Sequence, residues 1–275
     1  MVHSDWGDWL PQAIENADPE GVAAWYLGCN GLVLTDGETT LFVDPYLGTG
    51  DPPRTVRMVP IPFDPEDIES ADAVFATHEH SDHVDGPSQA PILAGTGAKF
   101  YAPDDSLAVA HENDWTDEWD LADDQLVEVS EGDTNEIGEF TVTVTHANDP
   151  DATHPVGYLI DHPAGTFFHG GDTKPGDELE PIGEEYDIDY AVCAFGAVGM
   201  ILDKETREPK RTRWYSDENQ AIEVANQLQV DTLVPTHWDM WKGLTADPAA
   251  LHPHARTYDY PEHLEIVEIG DRIDY

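Results

Sequence analysis

Four side chains able to hold a metal ion fall close together in Thr77-His78-Glu79-His80-Ser81-Asp82-His83: His78, His80, Asp82 and His83. Neutral imidazoles and a carboxylate suit a divalent transition metal at ordinary pH. Residues 71–76 before them read as a short buried strand, so the cluster leaves a strand end. In an extended chain, residues two apart share a face. That geometry would aim His78, His80 and Asp82 into one space and turn His83 toward a neighbouring one. The alternative is a polar loop rich in histidine by accident, and the His-x-His-x-Asp-His spacing disfavours it.

More side chains of the same kinds close later strands. Residues 139–145 alternate, with Phe140, Val142 and Val144 on one face and Thr141, Thr143 and Thr145 on the other, and the strand ends at His146. A hairpin at 156–168 runs into His169-Gly170-Gly171-Asp172, where the glycines allow close backbone approach. Residues 231–234 lead into Pro235-Thr236-His237-Trp238, and residues 40–43 end at Asp44-Pro45.

Together with Gly7-Asp8-Trp9-Leu10, Trp25-Tyr26-Leu27-Gly28-Cys29-Asn30-Gly31 and Gly48-Thr49-Gly50, these motifs resemble the metallo-β-lactamase superfamily. Within it, the L-ascorbate-6-phosphate lactonase family is the nearest branch, and the likeness runs from the N-terminus to about Pro248. The resemblance implies an α/β fold, a four-layer αβ/βα sandwich, with residues 1–275 forming one domain. It implies two divalent cations, zinc or manganese before iron. One would be held by His78, His80 and His146, the other by Asp82, His83 and His237, with Asp172 bridging them. Asp44 and His169 would support the ligands, and Asp82 would also move a proton. The implied activity is hydrolysis of a small, anionic lactone or ester by a hydroxide held between the metals. The alternatives are a phosphodiesterase of the same fold, a non-hydrolytic di-iron redox protein, or an inactive scaffold.

The chain also departs from the lactonase pattern. His146 stands where that family has an Asp after the strand, Trp238 follows the last histidine, and Thr173-Lys174 follow Asp172. The expected substrate contacts are Lys174, Trp238, Lys242 and Arg213. Lys204, Arg207, Lys210, Arg211 and Arg213 form a basic run that reads either as an anion site or as a solvated loop paired with nearby acids.

The net charge is -45, from 57 acidic and 12 basic residues, while 40% of residues are hydrophobic. A disordered acidic tail would lack that apolar content. The acids are spread along the chain, so the charge reads as a surface property suited to high salt, where self-repulsion is screened. It disfavours nucleic acid, whose phosphates need Lys and Arg. Cys29 and Cys193 form no CxxC motif, fit a reducing cytoplasm and read as small core residues. The start, Met1-Val2-His3-Ser4-Asp5-Trp6, shows no signal-peptide pattern. The uncharged run at 190–202 is too short for a membrane span of about 20 residues. A cytoplasmic enzyme acting on a small molecule is expected, with a homo-oligomer left open.

The elements that must position these residues are legible in outline. Helices are expected at 5–20, 88–93, 104–111 and 216–229. Strands are expected at 23–27, 32–35, 40–43, 71–76, 99–102, 125–129, 139–145, 156–160, 166–168, 188–194 and 231–234. Residues 48–66, rich in Pro and Gly, should form a long loop, and the family resemblance implies that it can overhang the site.

Overall fold

The computed structural model describes residues 3–275, so Met1 and Val2 of the N-terminal reading lie outside the described residues. The chain forms β1 (Ala23–Gly28), β2 (Gly31–Thr35), β3 (Thr40–Val43), β4 (Ala73–Phe75), β5 (Lys99–Ala102) and β6 (Leu126–Glu128). Next come β7 (Thr134–Ile137), β8 (Phe140–His146), β9 (Val156–His162), β10 (Gly165–His169) and β11 (Tyr190–Ala194). The last strands are β12 (Gly199–Leu202), β13 (Pro209–Thr212), β14 (Thr232–Thr236), β15 (His263–Leu264) and β16 (Arg272–Asp274). One sheet runs β16-β1-β2-β3-β4-β5-β6, the second β15-β14-β11-β10-β9-β8-β7, and β12 and β13 form a separate hairpin. Each sheet joins antiparallel strands to parallel ones: β3 to β6 are parallel, as are β10, β11, β14 and β15.

Alternation along the strands explains the layering. In β1, Trp25 and Leu27 point to one core with Phe42, Val74 and Phe100. Ala24 and Tyr26 point the opposite way, into a core shared with Phe140, Val142, Val144 and Tyr158 of the second sheet. A strand buried on both faces needs a cover on each. The outer cover of the first sheet is α1 (Trp9–Glu15), α2 (Gly86–Thr96), α3 (Asp104–Glu112) and α4 (Trp115–Glu118). That of the second is α5 (Glu180–Glu185), α6 (Glu218–Gln227) and α7 (Leu251–Ala255). The four layers are therefore helix, sheet, sheet, helix. Each large side chain between them contributes roughly 1.5–3 kcal/mol by leaving water.

Local chemistry sets several boundaries. Asp217 caps α6 by accepting from Gln220 N at 3.0 Å, and Ala221, Val224, Ala225 and Leu228 pack inward as their spacing predicts. At α3, Pro103 is the N-cap residue, and Asp104 begins the helix without a side-chain cap bond. Strand β7 and the β12–β13 hairpin were not expected from the sequence. β7 (Thr-Asn-Glu-Ile) carries no apolar alternation, and β13 (Pro-Lys-Arg-Thr) is mostly exposed. Pairing with a neighbour, rather than side-chain pattern, makes both of them strands.

Candidate metal centre

The motif residues gather at one edge of the sandwich, where β3, β4, β8, β10 and β14 end. The segment after β4 is not extended. It turns, with His83 N and Val84 N both donating to His80 O at 2.9 and 2.8 Å. That turn brings His78 Nε2 within 2.9 Å of His80 Nδ1 and sends Asp82 and His83 to the other side. Two groups result. His78, His80, Asp149 and Asp172 place ligand atoms together, and so do His83, Asp172 and His237, with Asp172 common to both. Asp172 Oδ1 lies 3.4 Å from His83 Nε2 and 3.1 Å from His237 Nε2. Asp82 joins His237 and Cys29 in a third, overlapping group.

His146 is not brought to this centre. It ends β8 in register with Val156, and its Nδ1 faces Glu131 Oε2 at 3.4 Å, one-third exposed. Asp149, three residues on, is buried with Oδ2 3.7 Å from both His78 Nε2 and His80 Nδ1. The cause is local. Asn148 N donates to Thr173 Oγ1 at 2.7 Å and its amide donates to Pro175 O at 2.7 Å, docking this segment beside Asp172. The carboxylate after the strand, which the sequence reading took as lost, is therefore present as Asp149. Its signal was the Asn-Asp-Pro turn directly after a strand whose last residue drew attention first.

Around the centre, hydrogen bonds fix the rings. Asp44, fully buried, accepts from Thr77 N at 2.8 Å, from the Thr77 hydroxyl at 2.7 Å and from His83 Nδ1 at 2.7 Å. With its proton committed to Asp44, the Thr77 oxygen accepts from His78 Nδ1 at 3.0 Å, leaving His78 Nε2 to face the centre. His169 donates through Nε2 to Asn30 O at 2.8 Å and accepts from Gly171 N, which steadies the turn carrying Asp172. Gly171 has φ +59° and a Cβ there would stand 2.5 Å from Thr77 Oγ1, so only glycine fits. Cys29, Asp44 and His237 also hold left-handed backbone at this edge, with φ of 60°, 47° and 62°. Backbone strain of this kind collects at functional sites.

Electrostatics agree with a cation. Among the 57 acidic residues, the buried ones are Asp44, Asp149 and Asp172, all at this centre. Three buried atoms aimed inward find no hydrogen-bond partner among the described residues: His83 Nε2, Asp149 Oδ2 and Asp172 Oδ1. Native interiors rarely leave such atoms alone unless an ion or water meets them. Burial, then neighbouring His83, holds His78 well below the usual histidine range, as a neutral ligand requires. Burial works against charge on His83, yet Asp44 and Asp172 outweigh it and raise its pKa well above the usual value.

That shift carries a prediction. A raised folded-state pKa means the metal-free protein gains stability from protonated His83 below the unfolded value of ~6.5, and loses it as pH rises through the folded pKa. A cation needs the Nε2 lone pair, so loading should release that proton. Titrating zinc into metal-free protein in weak buffer near pH 7 should release about one proton from His83, with apparent affinity rising with pH. In His83→Gln the release should drop by that proton; an unchanged release would contradict it.

A cleft of about 840 Å³ opens beside the centre. Tyr46, Trp214, Tyr215 and Trp241 wall it, and Asp82 and Asp172 lie in its lining. Lys204, Lys210, Arg211 and Arg213 of the β12–β13 hairpin region line it too, with Arg54 from the 48–66 loop. The basic run is thus a hairpin over the cleft, while Arg207 at its tip faces Asp51 at 3.7 Å. Half-buried Arg57 anchors the loop by donating to the carbonyls of Tyr46, Gly48, Val59 and Pro60.

The other expected contacts fall differently. Lys174 Nζ donates to Asp149 Oδ1 at 3.0 Å, so it serves the centre's carboxylate rather than open space. Trp238 packs partly against the core under α6, and Lys242 is exposed outside the cleft lining. Arg213 does line the cleft, paired with Asp217 at 2.9 Å. Cys29, read from sequence as a core residue, has Sγ 3.6 Å from His237 Nδ1 and 3.7 Å from Asp82 Oδ2; Cys193 is core.

Residues 39–238 match the profile of the beta-lactamase superfamily domain. The chain belongs to this superfamily. Among curated proteins it is 26% identical, over 90% of its own length and 78% of the other's, to a Salmonella gallinarum protein carrying the name L-ascorbate-6-phosphate lactonase. Among solved structures it resembles Igni18, a metallo hydrolase of Ignicoccus hospitalis, at 20% identity and TM-score 0.68, covering 93% of this chain and 98% of that one. It also resembles CmlA, a diiron beta-hydroxylase of Streptomyces venezuelae, at 16% identity and TM-score 0.66, covering 94% of this chain and 55% of that one. At such identities the two structures show the fold alone. Membership and the lactonase relatives support a metal-dependent hydrolase. Among the described residues, no helix is long and apolar enough to cross a membrane.

Proposed function

We propose that this protein uses two divalent cations, zinc or manganese, to hydrolyse a small anionic lactone or ester, as the name of its lactonase relatives suggests. The observation carrying this reading is the pair of ligand groups sharing Asp172, with three unpartnered buried atoms, opening into a cleft lined by cations. His78, His80 and Asp149 would hold one cation and Asp82, His83 and His237 the other. Cations bound there would supply a nucleophile at neutral pH and stabilise developing negative charge. Asp82 faces the cleft, where it can accept a proton from the attacking water and return it to the leaving group. Arg54, Lys204, Lys210 and Arg211 would hold the anionic end of the substrate. In a chain with nearly five acids per base, Arg54, Lys204 and Arg211 have no carboxylate within ion-pair distance among the described residues. A bound anion would satisfy them.

Elemental analysis of protein purified in molar salt should find about two equivalents of zinc or manganese. A phosphorylated sugar lactone and a chromogenic phosphodiester, assayed side by side, should show turnover of the lactone. Turnover of the phosphodiester alone would replace this reading with a phosphodiesterase. Two equivalents of iron without hydrolysis would favour a redox protein. Arg211→Glu should raise KM for the anionic lactone by about 10- to 100-fold, the value of one or two charged hydrogen bonds, with kcat little changed. A neutral lactone should be indifferent to that substitution.

A further inference from the structure

Tyr215 follows the basic hairpin and lines the cleft at the metal centre, 2% exposed. Its ring stacks on the His237 imidazole, with centroids 4.2 Å apart and planes 24° apart. The stack and the small apolar cluster of Ile201, Met240, Trp241 and Leu244 hold the ring. Its hydroxyl is poorly used by the fold. Among the described residues, the one acceptor in reach is Asp82 Oδ2 at 3.5 Å, and that oxygen already receives the Trp241 indole N–H at the shorter distance of 3.3 Å. A buried hydroxyl so loosely bonded is costly to keep unless another acceptor meets it. A phenol keeps its proton at neutral pH, so the oxygen serves as a donor.

Resting on the hydrolase reading above, we propose that Tyr215 is a catalytic residue whose hydroxyl donates a hydrogen bond to the substrate's acyl oxygen as negative charge develops there. No proton leaves the tyrosine. Water's oxygen bonds to the acyl carbon, the carbon–alkoxide bond breaks, one of water's protons ends on the alkoxide, and the other leaves the new carboxyl group for solvent. The donor's worth lies in strengthening as the charge grows, in a site where little water competes.

Tyr215→Phe keeps the ring stack and removes only the donor. With metal content and melting temperature matched to wild type, kcat should fall on the order of 10²-fold while KM changes little, as for loss of one oxyanion donor. Affinity for methylphosphonate, a tetrahedral anion, should fall by a similar factor, read by calorimetry. Trp241→Phe removes the shorter bond to Asp82 and serves as the control. If Tyr215 acted only by steadying Asp82, both variants would lose phosphonate affinity equally, and that result would overturn the proposal. So would unchanged phosphonate affinity in Tyr215→Phe. If wild type turns over no lactone or ester, the hydrolase reading fails separately, and the phosphonate comparison still decides whether Tyr215 is an anion donor.

Discussion

Replacing Asp149 by Ala should abolish turnover, whereas replacing His146 by Ala should leave it within about threefold of wild type, the small effect usual for a surface change. Asp149 is buried, and its Oδ2 lies 3.7 Å from two ligand histidines. Its other oxygen takes the Lys174 ammonium at 3.0 Å, so the carboxylate is held from behind and presents one atom forward. Losing it would remove a ligand and leave Lys174 without its partner beside a bound cation. Loss of a metal-binding carboxylate should cost at least ~10³-fold in kcat, more than one oxyanion donor, and bound metal should fall from about two equivalents toward one. Among the described residues, the ion-pair partner of the His146 ring is Glu131, an exposed residue, and such pairs are worth little. An inactive His146→Ala protein with an active Asp149→Ala protein would invert the proposed ligand set.

Dilution from molar salt to about 0.1 M should lower the melting temperature by more than about 10 °C, roughly 3–5 kcal/mol for a chain of this size. All acidic residues except Asp44, Asp149 and Asp172 are at least partly exposed, against 12 basic residues in all. At 0.1 M salt the screening length is about 10 Å, long enough for neighbouring surface carboxylates to repel; at 1 M it is about 3 Å. The hairpin and its cleft should loosen early, because β13 is mostly exposed and pairs with β12 alone. Melting curves over a potassium chloride series, on protein with matched metal content, give the measurement. A melting temperature independent of salt would show that the acidic surface does not set stability.

The sequence by itself determined most of the strands and the His and Asp residues at their ends, and the sandwich was what the family resemblance of those motifs implied. Strand alternation in 139–145, the helical spacing of Ala221, Val224, Ala225 and Leu228, and His or Asp residues at strand ends are all local signals. The alternation in β8 is legible because one of its faces is buried and the other partly exposed. His78, His80, Asp82, His83, Asp172 and His237 stood out by residue type and strand-end position, and the structure gathers them into overlapping groups. The tertiary structure alone placed Asp149, and not His146, beside His78 and His80, because that placement depends on where Asn148 docks against 173–175, residues distant in sequence. It alone showed that Lys174 serves Asp149, that Cys29 abuts His237, and that Tyr215 stacks on it. It also turned a basic run into a cleft wall, since β12 and β13 pair with each other without any apolar pattern to announce them. Periodicity reports which face of an element is buried. Which side chains from separate elements meet is set by packing between layers, and that is not written in any one stretch of the chain.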